Sequence, residues 1–521
     1  AERYRRSDFS FLLKADKIAG MNSSSTHPVM QREAHLQRLT RDKGKIWDIV
    51  VIGGGATGLG VAVDAASRGY ETVLLEQSDF SKGTSSRSTK LVHGGVRYLK
   101  QGDISLVLEA LHERGLLLKN APHLVKHQAF IIPSYDWWEG PFYTVGMKVY
   151  DMMAGRMGLG PSETISRKKT LAAIPNLDED RLNRGVIYYD GQFDDSRLAV
   201  NLAQTAAEQK AVVLNYMKVD GLVKDSDSLV CGVEAIDMET GQKHLVRSRV
   251  VVNATGVFVN DVLKMDDPQS TGMVRPSQGI HLVLDKSFLL GDSAIMIPRT
   301  SDGRVLFAVP WHDKVVVGTT DTPLSKAEIA LEPRPLEEEV AFILDTAAGY
   351  LKKAPQKKDV LSMFAGLRPL AADRDDKNST KDVSRSHKLS VSLSGLITIT
   401  GGKWTTYRKM AQDTVDKAWM VGGLPEKPCV TQDLLIHGAV KEDLPESPCY
   451  FYGSDLEPIG RLIDQAPELK KPLHPDYPYL LGHVAWAVQM EMARTVEDVL
   501  ARRTRMLFLD ARAAMEMAPA V

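Results

Sequence analysis

Residues 47–79 constrain the fold more than any other stretch of the chain. They read WDIVVIGGGATGLGVAVDAASRGYETVLLEQSD, which predicts an apolar strand, a tight glycine turn, a small-residue helix and a second strand ending at Glu76. Gly53 permits the turn, Gly55 lets the backbone approach a pyrophosphate, and Gly58 lets the helix pack closely on the strand. Because free N–H groups and the helix dipole favour an anion at a helix N-terminus, the stretch predicts a dinucleotide-binding βαβ unit.

Glu76 and two later segments bear on which dinucleotide is bound. A carboxylate at the end of the second strand can hold the adenosine ribose and would repel a 2′-phosphate, so NADP is disfavoured while NAD and FAD stay open. Residues 249–256 read RVVVNATG, and residues 401–408 read GGKWTTYR ahead of a predicted helix. A second glycine turn at a helix start can bind the pyrimidine edge or ribityl chain of a flavin. These segments together favour FAD.

Length, composition and charge exclude several classes of protein. The chain has 521 residues, 43% of them hydrophobic and 25% charged, with a formal net charge of -1. These values predict a soluble globular protein of two or three domains and no nucleic-acid partner. The three cysteines show no CxxC spacing, which favours a reduced compartment and disfavours a zinc site. The chain contains no run of 18 uncharged apolar residues, so the sequence does not predict a membrane-spanning helix.

The first 46 residues form a basic N-terminal extension. They carry ten Lys or Arg residues against five Asp or Glu residues and lack the apolar region of a secretory signal. A disordered basic tail, a surface-anchoring segment and an expression remnant all stay open. The acidic residues speak against a transit peptide.

Several motifs occur in one order from Trp47 to about Asp510. They are VVIGGGATGLG, LLEQSDF, GTSSRSTKLVHGGVRYL, APHLV, YYDGQFDDSRLAV, VVNATG, GIHLVL, FAVPW, VGTTDTP, GLRPL, TGGKWTTYRKMA and VEDVLARRTR. In this combination the chain resembles the FAD-dependent glycerol-3-phosphate dehydrogenase family, within the larger group of flavin enzymes that includes D-amino acid and sarcosine oxidases.

The resemblance implies an α/β (α+β) fold with a Rossmann-like FAD-binding domain, an inserted antiparallel β-rich substrate cap and a helical C-terminal domain. The FAD-binding domain is expected at 47–110, 185–265 and 360–420. The cap is expected at 111–184 and 266–359, and the C-terminal domain at 421–521. Short alternating runs between residues 281 and 321 agree with a cap sheet.

The resemblance also implies a reaction. A hydride leaves C2 of sn-glycerol 3-phosphate for flavin N5, the 2-hydroxyl loses a proton, and dihydroxyacetone phosphate forms. Electrons then pass to a membrane quinone at the membrane surface. The expected location is cytoplasmic and peripheral to the inner membrane, with the mitochondrial inner membrane as the alternative, and a homodimer is a possible assembly.

Matching motif positions identify the residues expected at the substrate. Arg97 and Arg368 are expected to clamp the phosphate, because a guanidinium fork matches phosphate oxygens, and Arg385 is a weaker third candidate. His281 is the first choice for the base, with Lys403 the alternative handler of the proton or a stabiliser of the reduced flavin. Tyr98 either hydrogen-bonds the substrate or packs with its hydroxyl satisfied.

The expected FAD contacts are spread over four parts of the chain. Within TSSRSTKLVHGGVRY, residues 84–98, hydroxyl groups are expected at the pyrophosphate and ribityl chain, and the glycines keep side chains away from the flavin ring. The full set is Gly53, Gly55, Gly58, Glu76, Thr84, Ser85, Ser86, His93, Gly94, Gly95, Ala254, Gly256, Gly401, Gly402, Lys403 and Thr405.

Other pairs of polar residues have simpler interpretations. Asp194 and Asp195 look like two catalytic carboxylates, but a helix N-cap with a charged neighbour is favoured. His123 and His127 have the spacing of a metal pair without a third ligand nearby, so no metal is assigned. The aromatic and methionine-rich residues 135–160 suit either interfacial burial or a cap helix packed on the core.

Two other functions remain as alternatives. An oxidase of the same family would use oxygen and produce hydrogen peroxide, although its mid-chain insertion is not evident between Thr322 and Ser362. A binding subunit without turnover would need the phosphate clamp but no base. The sequence contains no DxDxDG loop, so calcium control through an EF-hand is not expected.

Overall fold

The computed structural model describes residues 30–95, 104–135, 139–155, 158–180, 182–298, 300, 304–371, 387–440 and 447–521, without the side chains of 139–142. Its strands are β1 Ile46–Ile52, β2 Thr72–Leu75, β3 Leu91–Val92, β4 Val125–Ser134, β5 Glu163–Ser166, β6 Arg184–Phe193, β7 Val212–Leu214, β8 Met217–Lys224, β9 Val230–Asp237, β10 Lys243–Asn253, β11 Val274–Asp285, β12 Ala294–Ile297, β13 Leu306–Trp311, β14 Lys314–Gly318, β15 Thr322–Pro323, β16 Val360–Ala371, β17 His387–Val391 and β18 Ile397–Gly401.

The α-helices follow the same chain order. They are α1 Arg32–Thr40, α2 Ala56–Ser67, α3 Ile104–Asn120, α4 Glu139–Ala154, α5 Arg167–Ala173, α6 Asp195–Glu208, α7 Val259–Asp266, α8 Glu337–Ala348, α9 Tyr407–Val421, α10 Leu456–Gln465, α11 Leu481–Met490, α12 Met506–Leu509 and α13 Ala511–Met517. A π-helix covers Asp498–Arg503, and 3₁₀ helices at Thr84–Ser86, Gly256–Phe258 and Trp404–Thr406 lie next to the site.

The first sheet carries the predicted dinucleotide unit. Its strands run in the order β17-β18-β10-β1-β2-β7, and β9 and β8 extend it from β10. Strand β1 is parallel to both β2 and β10, and its residues 49–52 are buried. Near-continuous apolar strands of this kind suit a parallel sheet that is covered on both faces. Helix α2 packs against α9, where a Cβ at Gly60 would lie 2.9 Å from the Tyr407 ring.

We call the second sheet the cap sheet, because it contains the runs between residues 281 and 321 that the sequence predicts to form a cap. Its strands run β15-β11-β14-β13-β12-β4-β6-β3, with β16 paired to β11 and β5 paired to β6. The pairing of β11 with β16 is antiparallel from Val274–Ala371 to Leu284–Val360. Strands β6 and β16 therefore lie in the cap sheet, whereas the sequence boundaries at 185 and 360 assigned them to the FAD-binding domain. Their partners, β4 and β11, are remote in sequence, so local patterning could not assign them.

Buried ion pairs join the C-terminal helical segment to the loop after β2 and to α6. Asp79, three residues after the end of the fingerprint at Glu76, accepts from Arg502 at 2.5 Å and from Arg503 at 2.6 Å. Arg197 pairs with Glu491 at 2.8 Å, and all five charged side chains of these pairs are buried. Burying a guanidinium group costs free energy unless the group is paired with an opposite charge. These ion pairs therefore fix the position of the C-terminal segment relative to the loop after β2 and to α6.

Part of the basic extension belongs to the folded structure. Helix α1 begins at Arg32, whose buried guanidinium pairs with Asp237 at 3.0 Å. His35 accepts a hydrogen bond from the Val213 N–H at 3.1 Å. Residues 30–46 are thus attached to the first sheet, and a tail or an expression remnant is the wrong interpretation for this portion.

Candidate functional site

The turn after β1 has the close contacts expected of a dinucleotide fingerprint. Gly53 has a φ of 109°, and a Cβ there would lie 2.6 Å from the Ala254 carbonyl oxygen. A Cβ at Gly58 would lie 1.9 Å from the Gly53 carbonyl oxygen. Any larger residue at Gly58 would therefore separate α2 from the turn at the end of β1. The glycines set both the backbone conformation and the helix packing.

A cavity of about 440 Å³ follows this turn, and we call it the dinucleotide groove. Ten of the expected FAD contacts line it: Gly53, Gly55, Glu76, Thr84, Ser85, Ala254, Gly256, Gly401, Gly402 and Lys403. The Glu76 carboxylate accepts from the Gly54 N–H at 2.6 Å and the Ser78 N–H at 2.9 Å, which fixes its position. Burial raises the pKa of Glu76, and these two amide donors oppose that rise.

The segment containing Thr84 and Ser85 closes the groove. Ser85 Oγ accepts from the Ala56 N–H at 2.9 Å, at the first residue of α2. Thr84 Oγ1 instead donates to the Leu367 carbonyl of the cap at 2.5 Å. The next expected contact, Ser86, is fully buried and does not line the groove. Only part of the hydroxyl-rich run therefore faces the groove.

The second glycine turn, at Gly401 and Gly402, lies next to the segment that contains Thr84 and Ser85. Gly401 and Gly402 both have positive φ, 76° and 73°, and the 3₁₀ turn beginning at Trp404 leads into α9. Trp404 Nε1 donates to the Ser85 carbonyl at 2.8 Å, so the two groove loops are joined directly. Trp404 was not among the expected site residues, although it lies inside GGKWTTYR.

His93, Gly94 and Thr405 lie at the junction of the groove loops and the cap. Thr405 Oγ1 accepts from the His93 N–H at 3.2 Å and contacts the His93 carbonyl at 3.3 Å. The Gly94 N–H donates to the Tyr150 hydroxyl at 2.8 Å, and that hydroxyl donates to Asp190. Of the expected cofactor residues in this region, His93 and Gly95 line a second cavity rather than the groove.

The second cavity, of about 170 Å³, lies against the cap sheet, and we call it the cap cavity. Its lining residues are Thr89, Leu91, His93, Gly95, Phe130, Tyr188, Asp190, Met296, Arg304, Val305, Phe307, Thr319, Thr320, Asp321 and Arg368. Segment 84–95 therefore contributes to both cavities, with Thr84 and Ser85 at the groove and Thr89, His93 and Gly95 at the cap cavity. Sequence reasoning identified His93, Gly95 and Arg368 but missed Thr89 and Arg304.

Arg368 is fixed on the wall of the cap cavity. Its Nη2 donates to Thr319 Oγ1 and to the Thr320 carbonyl, both at 2.8 Å, and its Nη1 lies 3.3 Å from Asp321. A Cβ at Gly279 would lie 2.1 Å from Nη2, so the facing strand leaves space for the guanidinium only because it carries glycine there. A preorganised, half-buried guanidinium can bind an anionic group.

His281 lies behind the cap cavity instead of lining it. Its ring is buried, stacks on Phe364 with centroids 5.0 Å apart, and places Nε2 3.0 Å from Thr89 Oγ1. Burial, followed by the charges of Lys90 and Arg368, holds the pKa of His281 well below its usual value. These influences favour the neutral imidazole, in which one ring nitrogen carries the hydrogen and the other carries a lone pair.

Two charged side chains of TSSRSTKLVHGGVRY, those of Lys90 and Arg87, form ion pairs within the protein. Lys90 is completely buried and pairs with Asp195 at 2.7 Å. Arg87 pairs with Glu332 at 2.8 Å. Asp194 accepts from the Arg197 N–H at 3.0 Å as the N-cap of α6, so the N-cap prediction is confirmed.

Other predicted positions fall outside these cavities or outside the described residues. Arg97, Tyr98 and Arg385 lie outside the described residues. His123 Nε2 contacts Asn201 Oδ1 at 3.2 Å. Within the described ranges, no group of three or more His, Cys, Asp or Glu side chains is placed to hold a metal ion.

Comparison with known sequences adds an independent observation. Residues 48–408 match the profile of a family described as FAD dependent oxidoreductase, and residues 394–521 match one described as the C-terminal domain of alpha-glycerophosphate oxidase. The chain is 39% identical to a Caenorhabditis elegans protein named probable glycerol-3-phosphate dehydrogenase, mitochondrial, over 97% of this chain and 74% of that protein. The human mitochondrial glycerol-3-phosphate dehydrogenase is also 39% identical, over 94% of this chain and 71% of its own length.

Solved structures give a concordant result. The glycerol-3-phosphate dehydrogenase of Bacillus halodurans, complexed with FAD, matches with a TM-score of 0.75 and 30% identity over 95% of this chain and 92% of that chain. An L-alpha-glycerophosphate oxidase of Mycoplasma pneumoniae, solved with FAD bound, matches with a TM-score of 0.58 and 15% identity over 75% and 98% of the two chains. At that lower identity the likeness concerns the fold alone.

Proposed function

Because the chain belongs to the FAD-dependent glycerol-3-phosphate dehydrogenase family, we propose that it oxidises sn-glycerol 3-phosphate to dihydroxyacetone phosphate and passes the electrons to a membrane quinone. The predicted fold class and the FAD dependence are confirmed by the family match. The observation that carries the proposal is segment 84–95, which contributes to the dinucleotide groove on one side and to a cavity holding Arg368 on the other.

The residues present fit FAD. Gly53 and Gly58 leave no space for a Cβ where the backbone must approach a pyrophosphate, and the Glu76 carboxylate stands at the groove for a ribose. Gly401 and Gly402 bring a second backbone turn to the same groove. When bound, FAD supplies the acceptor for the hydride from C2.

The cap cavity supplies the proposed substrate contacts. Arg368 binds the phosphate, since its guanidinium is already oriented by Gln278 of β11 and by Thr319 and Thr320 of the connection between β14 and β15. Lys403 lies at the groove and places a cation near the reduced flavin. His281 receives the proton of the 2-hydroxyl. Arg97, Tyr98 and Arg385 remain proposed substrate contacts on motif grounds.

The remaining FAD contacts are proposed as supporting residues. His93, Gly94, Gly95 and Thr405 hold the loop between groove and cap. Two bonds support this role: the His93 N–H donates to Thr405 Oγ1, and the Gly94 N–H donates to the Tyr150 hydroxyl. Gly58 acts through helix packing, and Ser86 through its carbonyl, which accepts from Lys90 Nζ at 2.7 Å. Their contribution is therefore expected in FAD retention more than in turnover.

The electron acceptor distinguishes two enzymes of one family. The name of the profile matched by residues 394–521 refers to an oxidase, which favours oxygen as the second candidate acceptor.

Anaerobic mixing with sn-glycerol 3-phosphate should bleach the flavin, and a quinone analogue should then restore its absorbance faster than oxygen does. An unbleached flavin would contradict the proposed substrate and leave a non-catalytic binding subunit. Faster recovery with oxygen would assign the oxidase.

The proposed location is the surface of an inner membrane. Among the described residues, no helix combines the length and apolar character needed to cross a membrane. The names of the relatives favour the mitochondrial alternative. Within residues 135–160, Val145 and Met152 of α4 are exposed, which supports contact with a lipid surface, and a homodimer stays a proposal.

A further inference from the structure

Thr89 occupies the space between the cap cavity and the buried imidazole of His281. Thr89 lines the cavity, whereas the described residues that line the cavity do not include His281. Thr89 Oγ1 and His281 Nε2 are 3.0 Å apart, the distance of a hydrogen bond. A proton leaving a molecule in the cavity for His281 therefore has the Thr89 hydroxyl in its path.

The imidazole is held in one orientation. It stacks on Phe364 with an interplanar angle of 19°, and a Cβ at Gly318 would lie 2.4 Å from its Cδ2. The ring is stacked on Phe364 of β16 and lies close to Gly318 of β14, so the strands on both sides of β11 restrict its rotation. His281 thus depends on an intermediate group to exchange protons with the cavity.

The residues before and after Thr89 are also held in place by hydrogen bonds. Asp195 accepts from the Ser88 N–H at 3.1 Å, from the Ser88 hydroxyl at 2.7 Å and from Lys90 Nζ at 2.7 Å. Both sequence neighbours of Thr89 are therefore bound to one buried carboxylate. The backbone of Thr89 is fixed while its hydroxyl stays available to the cavity and to His281.

The carboxylates of the cap cavity are less suited to accept the proton. Asp190 accepts from Arg114 at 2.7 Å and from the Tyr150 hydroxyl at 2.8 Å. Asp321 is bound to Arg368 and to the Ser277 hydroxyl. Each of these carboxylates is therefore already engaged by a guanidinium and a hydroxyl group, whereas Thr89 Oγ1 lies beside the imidazole.

We propose that Thr89 is a catalytic residue that relays the substrate proton to His281, an inference that rests on the proposed oxidation of sn-glycerol 3-phosphate. The O–H bond of the 2-hydroxyl breaks, and its proton binds Thr89 Oγ1. The Thr89 O–H bond breaks in turn, and that proton binds His281 Nε2 to give an imidazolium. The hydride leaves C2 with its electron pair for the FAD of the holoenzyme, so the carbonyl forms and the charges balance.

The test compares flavin reduction in variants of the FAD-loaded chain. Thr89→Val keeps the shape but removes the hydroxyl, Thr89→Ser keeps the hydroxyl, and Thr346→Val removes a hydroxyl that is bound to the Phe342 carbonyl in α8. In anaerobic stopped flow with sn-glycerol 3-phosphate, Thr89→Val should reduce its flavin about 100-fold more slowly, and Thr89→Ser should recover most of that loss. Thr346→Val should stay within about threefold of the unchanged chain. If Thr89→Val does not fold, Thr89→Ala takes its place.

Two further measurements separate a relay from a packing role. Binding of dihydroxyacetone phosphate, followed through the flavin spectrum, should be retained in Thr89→Val because the hydroxyl moves a proton and does not hold the phosphate. The reduction rate of the unchanged chain in H₂O–D₂O mixtures should depend on the deuterium fraction along a curve, because two protons move.

Each contrary result has a distinct meaning. Equal reduction rates in Thr89→Val and Thr346→Val, a linear dependence on deuterium, or parallel loss of product binding would overturn the relay alone. Failure of the unchanged chain to bleach with sn-glycerol 3-phosphate would overturn the proposed function and the relay with it.

Discussion

Lys90 and Asp195 form an ion pair at 2.7 Å in which both side chains are completely buried. The Lys90 ammonium also lies 5.2 Å from the centroid of the Phe364 ring, the same ring on which the imidazole of His281 stacks. Breaking a buried pair from one side leaves an uncompensated charge and costs about 3–5 kcal/mol. We expect Lys90→Met to lower the midpoint of thermal unfolding strongly, and Lys90→Met/Asp195→Leu to recover part of the loss.

An exposed pair provides the control. Lys357 and Glu337 lie 2.7 Å apart on the surface, where a pair contributes about 0–1 kcal/mol. Lys357→Met should leave the midpoint nearly unchanged. A single Lys90 variant as stable as Lys357→Met would show that the buried pair does not stabilise segment 84–95.

Arg368→Ala should weaken substrate binding without releasing FAD. Removing one partner of a desolvated charge pair costs at least about 2 kcal/mol, which is roughly a 30-fold rise in the KM for sn-glycerol 3-phosphate. Arg368→Lys should recover little, because an ammonium lacks the planar fork. Steady-state kinetics and the bound FAD content measure the two effects. Arg461→Ala, at an exposed arginine, is the control. If Arg368→Ala lost FAD in parallel with substrate binding, Arg368 would act on the cofactor and not on the substrate.

Gly58→Ala should abolish FAD binding. The new Cβ would lie 1.9 Å from the Gly53 carbonyl oxygen, so α2 must move away from the turn that receives the pyrophosphate. Gly146→Ala in α4 is the matched control, since a Cβ there meets nothing within 4 Å. The ratio of flavin to protein absorbance after purification measures the result. Full FAD occupancy in Gly58→Ala would contradict the fingerprint interpretation.

Asp79→Asn should weaken FAD binding from a distance. Asp79 faces two buried arginines, and despite burial, which favours the neutral acid, Arg503 and Arg502 lower the pKa of Asp79 to about 2. The neutral amide would leave Arg502 and Arg503 short of negative charge and loosen the loop after Glu76. FAD release, followed by its fluorescence, should quicken in Asp79→Asn. Asp48→Asn, at a weakly paired and partly exposed carboxylate, should release FAD at the unchanged rate.

His437 should make stability depend on pH. Burial lowers the pKa of His437, but hydrogen bonds with Asp455 and Glu208 raise it overall to about 10. A histidine with a raised folded pKa stabilises fully below its unfolded pKa, and this contribution fades between pH 6.5 and about 10. The difference in unfolding midpoint between the unchanged chain and His437→Gln should shrink across that window. In an Asp455→Asn background the pH dependence should largely disappear, and an undiminished dependence would rule out this pair as its source.

Local sequence patterns predicted the parts of the site that depend on local geometry. The Gly53 turn, the strand end at Glu76 and the Asp194 N-cap each follow from a few neighbouring residues. The Trp404–Ser85 hydrogen bond and the Lys90–Asp195 pair join segments more than a hundred residues apart, and no periodicity reports such contacts. For the same reason Thr89 was missed, since its importance comes only from where His281 lies.

The attachment of Asp79 to Arg503 also has a consequence during synthesis. The two residues are 424 positions apart, so the fingerprint leaves the ribosome long before its arginine partners exist. At about 5–20 residues per second, the interval is roughly 20–85 s. Throughout that time the nascent βαβ unit carries an unpaired carboxylate that the finished protein buries, and we expect flavin capture to wait until translation is nearly complete.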